Sequence, residues 1–534
     1  MTSATDGTTA AHGTTGTTTG TTTGTTTGTT TGSSTPGQAT DPTQGPEGTG
    51  ARSQRPSSKA FREFVGSGWA PRPDVLPEQG EGSRHAVARR GRLSARFPGE
   101  RLVVPAGGLQ VRSNDTDHRF RPHTAFAYLT GTGGSTEPDC VLVLEPTDDG
   151  HDAVLFFRPR AGRDTEEFYA DARYGELWVG TRQSLEEVSA ETGLAARHLD
   201  ELADALGKDL GTVGVRLVRD AHRDVTDLLD EARAAAGVEP VGARAADAVL
   251  ADEVSSMRCV KDAWEVDQLR EAVAATARGF EDVVRALPRA AGHPRGERVV
   301  EGVFGARARE EGNGVGYEVI AAAGEHACTL HWIRNDGRVD ADALVLVDAG
   351  VEVDSLYTAD VTRTLPVCGR FTEPQRRVYQ AVLDAADAAF AAARPGATIR
   401  DVHEAAMVVV ADRLAVWGLL PVTAEESRDT ATGGQHRRWM VHGTSHHLGL
   451  DVHDCARLSR ETYQGQALEE GMVFTIEPGL YFRPDDLLVP EELRGIGVRI
   501  EDDVVVTADG VENLSAALPR DPDEVEAWMA SLRG

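Results

Sequence analysis

Two aspartates, two glutamates and a run of histidines in the second half of this 534-residue chain have the types and spacing of a carboxylate-rich metal site. Asp348 is the first charge after the apolar run Leu344-Val345-Leu346-Val347, and Asp360 follows twelve residues later, ahead of Val361-Thr362-Arg363-Thr364. A carboxylate at the end of a buried strand is costly unless something pairs with it. Taken alone, these aspartates read as partners of Arg363 or as turn caps. Glu477 changes that reading. It closes Met472-Val473-Phe474-Thr475-Ile476, and the strand period of two puts it with Thr475 on the face opposite Phe474 and Ile476. Arg499 and Glu501 share a face opposite Val498 and Ile500 by the same rule, with a simple Arg499–Glu501 salt bridge as the alternative. Each strand is thus expected to bury one face and offer polar groups on the other.

His442, His446 and His453 are spaced by four and seven residues, which is one side of a helix if the segment is helical, although Gly443 and Gly449 argue against that. Spacing leaves their geometry open. Three histidines between glycines, beside two acidic strands, serve metal or substrate more often than they form a structural cluster. Asp348, Asp360, Glu477 and Glu501 together carry a charge that one divalent ion would only half neutralise, so two ions are expected. With oxygen ligands dominating, one imidazole and no thiolate, the set suits Mn²⁺, while Co²⁺, Fe²⁺ and Zn²⁺ remain compatible. Two such ions roughly 3.5 to 4 Å apart bridge a hydroxide and polarise a carbonyl, as in two-metal aminopeptidases. Val402-His403-Glu404-Ala405-Ala406-Met407 starts like an HExxH zinc motif but has Met where the second His must stand, and is read as an ordinary exposed helix face.

The elements that must position these residues are an α/β (α+β) set. Short apolar runs such as Cys140 to Leu144 and Ala153 to Phe157 alternate with a helical stretch, Ser184 to Leu206, in a mixed N-terminal domain. Trp264 to Leu287 is an amphipathic connector helix, and Glu373 to Ala393 is another, capped by Thr372 and ended by Pro395-Gly396. Strands are expected at Ala343 to Ala349, Met472 to Ile476 and Val498 to Val506, the last turning at Asp509-Gly510, in a second domain with largely antiparallel connections. The expected divisions are a disordered Thr/Gly-rich tail over 1–55, an N-terminal α/β domain over 56–255, the metal-site domain over 256–520, and a C-terminal tail or helix over 521–534.

A net charge of −29 argues against a nucleic-acid partner, since phosphate binding needs clustered Lys and Arg. The five cysteines are scattered, with no CxxC pair, which fits a reducing cytoplasm better than a disulfide framework or a thiolate zinc site. The start of the chain has no signal-like segment and no later stretch approaches about 20 uninterrupted apolar residues, so neither export nor membrane insertion is expected.

In this order the motifs resemble the Xaa-Pro aminopeptidases (aminopeptidase P) of the pita-bread metallopeptidase family M24, from about residue 83 to 520 and most strongly over Gly316 to Ser515. The resemblance implies a C-terminal pita-bread catalytic domain behind a smaller N-terminal one. It implies that Asp348 chelates one metal, that Asp360 and Glu501 bridge both, and that His446 and Glu477 complete the second. It further implies that His331 in Thr329-Leu330-His331-Trp332, with His442 and His453, binds substrate carbonyls and steadies the tetrahedral intermediate, that Arg499 orients the bridging carboxylate, and that Glu477 takes the proton of a metal-bridged hydroxide or water. The implied activity is hydrolysis of the N-terminal bond of peptides with proline second, by a homodimer or homotetramer. The sequence departs from the family pattern in three places: the Asp348–Asp360 spacing is twelve where eleven is common, Gln435 to Trp439 is locally polar and basic, and the Thr/Gly tail has no counterpart.

A prolidase, cleaving only Xaa-Pro dipeptides, is the close alternative; prolidases commonly have Pro and Gly where this chain has Val441 and Ser445. A methionine aminopeptidase would make the N-terminal domain superfluous. A binding-only relative should have lost ligands, and none is lost. Metal-free, creatinase-like hydrolysis has no need of the two glutamates.

Overall fold

The computed structural model describes Pro56 and residues 58–533; the expected tail over 1–55 lies outside the described residues. The N-terminal apolar runs become the middle of a five-stranded mixed sheet. Val141–Thr147 lies antiparallel between Arg101–Pro105 and Gly150–Phe157, and Val215–Leu217 and Ala195–His198 add parallel edges. The run Val141 to Leu144 is buried throughout, as a strand covered on both faces requires. The stretch expected as one helical run is broken. Leu185–Thr192 ends at Gly193, whose φ of 67° stops a helix, and the chain forms the edge strand Ala195–His198 before the short helix Leu202–Gly207.

The connector helix runs Ala263–Ala291, opened by a capping box between Asp262 and Glu265, and Glu373–Ala392 is opened by another between Thr372 and Gln375. The division expected between 255 and 256 falls in the last turn of the helix Pro240–Met257, and the chain closes on the helix Pro522–Arg533. The strands beyond residue 310 are antiparallel, as expected. Leu344–Ala349 lies between Val361–Pro366 and Ile320–Ala323, and Asp502–Thr507 lies between Val473–Ile476 and Gly510–Asn513.

Two readings need correction. The strand Val473–Ile476 is buried on both faces rather than one. Val473 belongs to the apolar cluster that includes Phe280 and Phe304, Phe474 and Ile476 belong to the cluster that includes Val382 and Val410, and Thr475 is buried between them. The expected strand Val498 to Val506 is also two strands. Ile496–Arg499 pairs with Gly479–Phe482, Asp502–Thr507 pairs with Val473–Ile476, and Glu501 at the break bridges to Thr362. One stretch of chain therefore serves two sheets and ties both to the aspartate strands. Among the described residues no helix is long and apolar enough to cross a membrane.

Candidate metal centre

The strand ladder sets the aspartates close together. Asp348 pairs with Thr362, and Asp360 immediately precedes the partner strand Val361–Pro366. The Tyr317 hydroxyl lies within hydrogen-bond reach of both carboxylates, 2.7 Å from Asp348 Oδ1. The twelve-residue spacing is accommodated by a turn in which buried Leu356 takes a φ of 73°. The glutamates arrive from the other side. The Glu501 amide donates to Thr362 O at 3.1 Å, and the Thr362 hydroxyl donates to Glu501 Oε2 at 2.6 Å. The Glu477 amide donates to Thr444 O at 2.9 Å.

The histidine run is not a helix; it is extended and turned, pinned to the strand Val473–Ile476. The Thr475 amide donates to His446 O at 2.9 Å and the His446 amide to Thr475 Oγ1 at 3.2 Å. That aims His446 Nε2 to within 3.3 Å of Asp360 Oδ2 and 3.8 Å of Glu477 Oε1. Asp360, His446 and Glu501 offer donor atoms all within 4.8 Å of one another. Asp348 and Glu477 stand beside this trio with other partners: Asp348 is ion-paired to Arg499, and Glu477 Oε2 is 3.4 Å from His442 Nδ1. Arg499 is more than the partner of Glu501. Its Nε donates to Thr362 Oγ1 at 3.1 Å and its Nη1 to the Tyr481 hydroxyl at 3.3 Å, with Glu501 3.7 Å away.

All nine predicted site residues line one cavity of about 470 Å³. His331 is exposed at its wall with Leu330 and Ile333, and the His453 ring meets His446 edge-on at 4.5 Å. His403 lies outside the cavity but is not on a plain exposed face as expected. It is partly buried on the helix Ile399–Val416, its Nδ1 3.1 Å from Thr444 Oγ1, and so props the loop between His442 and His446.

The electrostatics describe a site short of positive charge. Burial pushes the carboxyls of Asp348, Glu477 and Glu501 above their ordinary range, Glu477 to about 7, although Arg499 works against all three. Burial disfavours the charged His446 imidazole, yet the hydrogen bond and charge of Asp360 prevail and raise it to about 9. His442 is held neutral, lowered to about 3 by burial and by Arg499. Asp503 is also pushed well up, by burial and then by Asp360; its Oδ2 accepts the Asp360 amide at 3.0 Å while its buried Oδ1 has no partner among the described residues. Buried carboxylates with too few cations around them, oxygen-rich with one imidazole and no thiolate, fit a hard or borderline divalent metal.

Reasoning from the sequence missed Tyr317, Thr362, Tyr481 and Asp503, which hold the others in place. Thr362, Tyr481 and Asp503 stand inside the motifs themselves, and their polar side chains on buried strands were the available signal. Tyr317 carries no such mark.

Residues 267–508 match the model for metallopeptidase family M24, and residues 86–216 match the aminopeptidase P N-terminal domain. Xaa-Pro aminopeptidase 1 of Streptomyces coelicolor is 51% identical over 477 residues, covering 89% of this chain and 93% of the relative. The fold is similar to a solved Escherichia coli aminopeptidase P variant in complex with substrate, with a TM-score of 0.73 and 30% identity, covering 86% of this chain and 100% of that one. The Zn-substituted E. coli enzyme in complex with product matches with the same TM-score, identity and coverage. With the site geometry, both domain matches and identity over nearly its whole described length in agreement, the chain belongs to metallopeptidase family M24, as a metal-dependent aminopeptidase of the aminopeptidase P type.

Proposed function

We propose that this chain hydrolyses the bond between the first residue of a peptide and a proline in second position. The observation that carries the proposal is the convergence of Asp360, His446 and Glu501 in a cavity that also holds Asp348, Glu477 and three further histidines. In this reading Asp348, Asp360, His446, Glu477 and Glu501 would hold a pair of divalent ions, with Mn²⁺ the ion that suits the donor set best. When bound, such a pair supplies an activated water at neutral pH and polarises the scissile carbonyl.

The side chains do the rest. Glu477, whose carboxylate lines the cavity, would take a proton from the attacking water and return it to the departing proline nitrogen as the carbon–nitrogen bond breaks. His442 is held neutral, its Nδ1–H taken up by Gly443 O at 2.5 Å and its Nε2 accepting from the Tyr481 hydroxyl at 2.7 Å, so it donates to a substrate carbonyl only on exchanging one of these partners. His331 and His453 flank the cavity and complete the recognition of the peptide. Arg499 holds Asp348 and steadies Thr362, which in turn fixes Glu501. A cavity of this size takes the end of a short peptide and excludes folded proteins.

Two further assignments accompany this reading. The five cysteines are all free thiols, four of them buried, which supports a reducing cytoplasm. Consecutive exposed apolar side chains at Leu177, Trp178 and Val179 on the N-terminal domain support a homodimer or homotetramer. The deciding assay is release of the first residue from a matched Xaa-Pro-Yaa tripeptide and Xaa-Pro dipeptide, with Mn²⁺ and then with chelator. Metal-dependent tripeptide cleavage is expected. Cleavage of the dipeptide alone would make the chain a prolidase, and cleavage of neither with metal bound would leave a binding protein.

A further inference from the structure

We infer that Arg121, supplied by the N-terminal domain, is a positioning residue that holds two loops of the catalytic cavity in one grip: the turn between Asp348 and Asp360, and the loop that carries His453. The inference rests on the proposed peptidase reading for its consequence in catalysis, though not for its geometry.

Arg121 lies just ahead of the buried helix Thr124–Thr130. Its guanidinium spends its donors on both loops at once. Nε donates to Glu352 Oε2 at 2.7 Å, in the turn, and Nη2 donates to Leu450 O at 2.5 Å, in the loop. Nη1 stands 3.6 Å from Asp451, whose Oδ1 also accepts the Thr124 hydroxyl at 2.6 Å. The next two residues of that loop, Val452 and His453, line the cavity. A planar fork with donors on both edges suits this task, and a single ammonium does not.

Each loop needs a restraint from outside. The turn carries Leu356 at a φ of 73°, a conformation that a branched side chain adopts only when its surroundings impose it. Glu352 is buried, and its other oxygen is met by Asn313 Nδ2 at 2.7 Å, so among the described residues Arg121 is the only cation paired with it. The N-terminal domain grips the same turn again where the Gly134 amide donates to Asp354 O at 2.7 Å. The two loops are also tied to each other by the Thr358 amide on Gly449 O at 3.0 Å, so slack in one reaches the other. The N-terminal domain therefore sets the placement of Asp360 and His453 without touching substrate.

The test compares Arg121→Met and Arg121→Lys with the full-length parent, measuring kcat and KM on an Xaa-Pro-Yaa tripeptide, bound Mn²⁺, and amide hydrogen exchange. Loss of the grip should lower kcat about 10- to 100-fold, the scale of a displacement near 1 Å in a catalytic site. KM and bound metal should stay within about twofold. Exchange should rise over 350–359 and 449–455 and not elsewhere, with Arg121→Lys intermediate. Unchanged kcat, or exchange that rises throughout the domain together with a general loss of stability, would overturn the inference. If the parent cleaves no Xaa-Pro peptide with metal bound, the peptidase reading fails, and confined exchange still decides whether Arg121 holds the two loops.

Discussion

Glu477→Gln separates the proton-transfer role of this side chain from the electrostatic burden of burying it. In the metal-free protein burial lifts the Glu477 carboxyl from its ordinary 4.5 to about 7. A carboxyl whose folded value lies above its unfolded value binds its proton more tightly when folded. The stability this gives is fully present below pH 4.5 and is lost as pH rises through about 7. At 1.36 kcal/mol for each pKa unit, wild type should have lost about 3 kcal/mol by pH 7 relative to pH 4.5 through this group. Gln has the same shape and no charge, so chelator-treated Glu477→Gln should match wild type near pH 4.5 and be about 3 kcal/mol more stable at pH 7. Urea unfolding in chelator at several pH values reads that gap. With saturating Mn²⁺ the same variant should lose about 10²- to 10⁴-fold in kcat, the range for removing a general acid–base group, or about 3 to 5 kcal/mol of barrier. Bound metal must be measured alongside. Near-normal turnover with metal bound would refute the proton-transfer role, and a stability gap that stays flat or narrows as pH rises would refute the electrostatic account.

His442→Ala removes an imidazole 2.7 Å from Tyr481 and 3.4 Å from Glu477. It should cut kcat about 10²-fold with bound metal unchanged, and a variant that arrives without metal would make His442 a ligand instead. Asp454 is buried against Arg258 at 2.8 Å and Lys261 at 3.7 Å. Burial opposes its charge, but those two cations prevail and hold its carboxyl below the ordinary 3.8. Its contribution to stability is therefore present above pH 3.8 and lost as pH falls through the lower folded value. Asp454→Asn should cost about 3 to 5 kcal/mol at neutral pH by stranding the cations, and should flatten the acid limb of urea unfolding below about pH 4. An acid limb as steep as wild type would show that Asp454 is not the group being titrated.

The candidate set was legible in the sequence where a charge follows an apolar run: Asp348 after Leu344 to Val347, and Glu477 after Phe474 to Ile476. Such a neighbour fixes where a charge lies on a strand. It does not say which strand lies across from it. The passage around Glu501 illustrates the limit, since Val498-Arg499-Ile500-Glu501 alternates like one strand and yet divides at Glu501 between two sheets. The stretch Ser184 to Leu206 failed for a local reason, because Gly193 ends a helix that composition alone would continue. Asp503 and Thr362 escaped assignment because their roles depend on contacts across the seam, with the Asp360 amide and the Glu501 carboxylate. His403 was misread as simply exposed because its partner, Thr444, is far away in sequence.

That seam also explains why so much unbalanced charge is tolerated. The aspartates come from a hairpin whose ladder ends at Asp348 and Ala349, and the glutamates from the ends of strands in two other sheets. Neither group is a site without the other, and what joins them is polar: Thr362 to Glu501, Arg499 to Asp348, and the Asp360 amide to Asp503. A more apolar seam would be easier to bury, but it would leave nothing to orient carboxylate oxygens toward a common point. Because burial, and then repulsion among the carboxyls, raises Asp348, Glu477 and Glu501, folding without metal takes up protons, and in the proposed reading folding with metal would exchange those protons for cations. In the proposed reading metal binding is thereby coupled to closure of the seam, and Thr362 at its centre, which joins the two sides, acts on the placement of the carboxylates and on fold stability together.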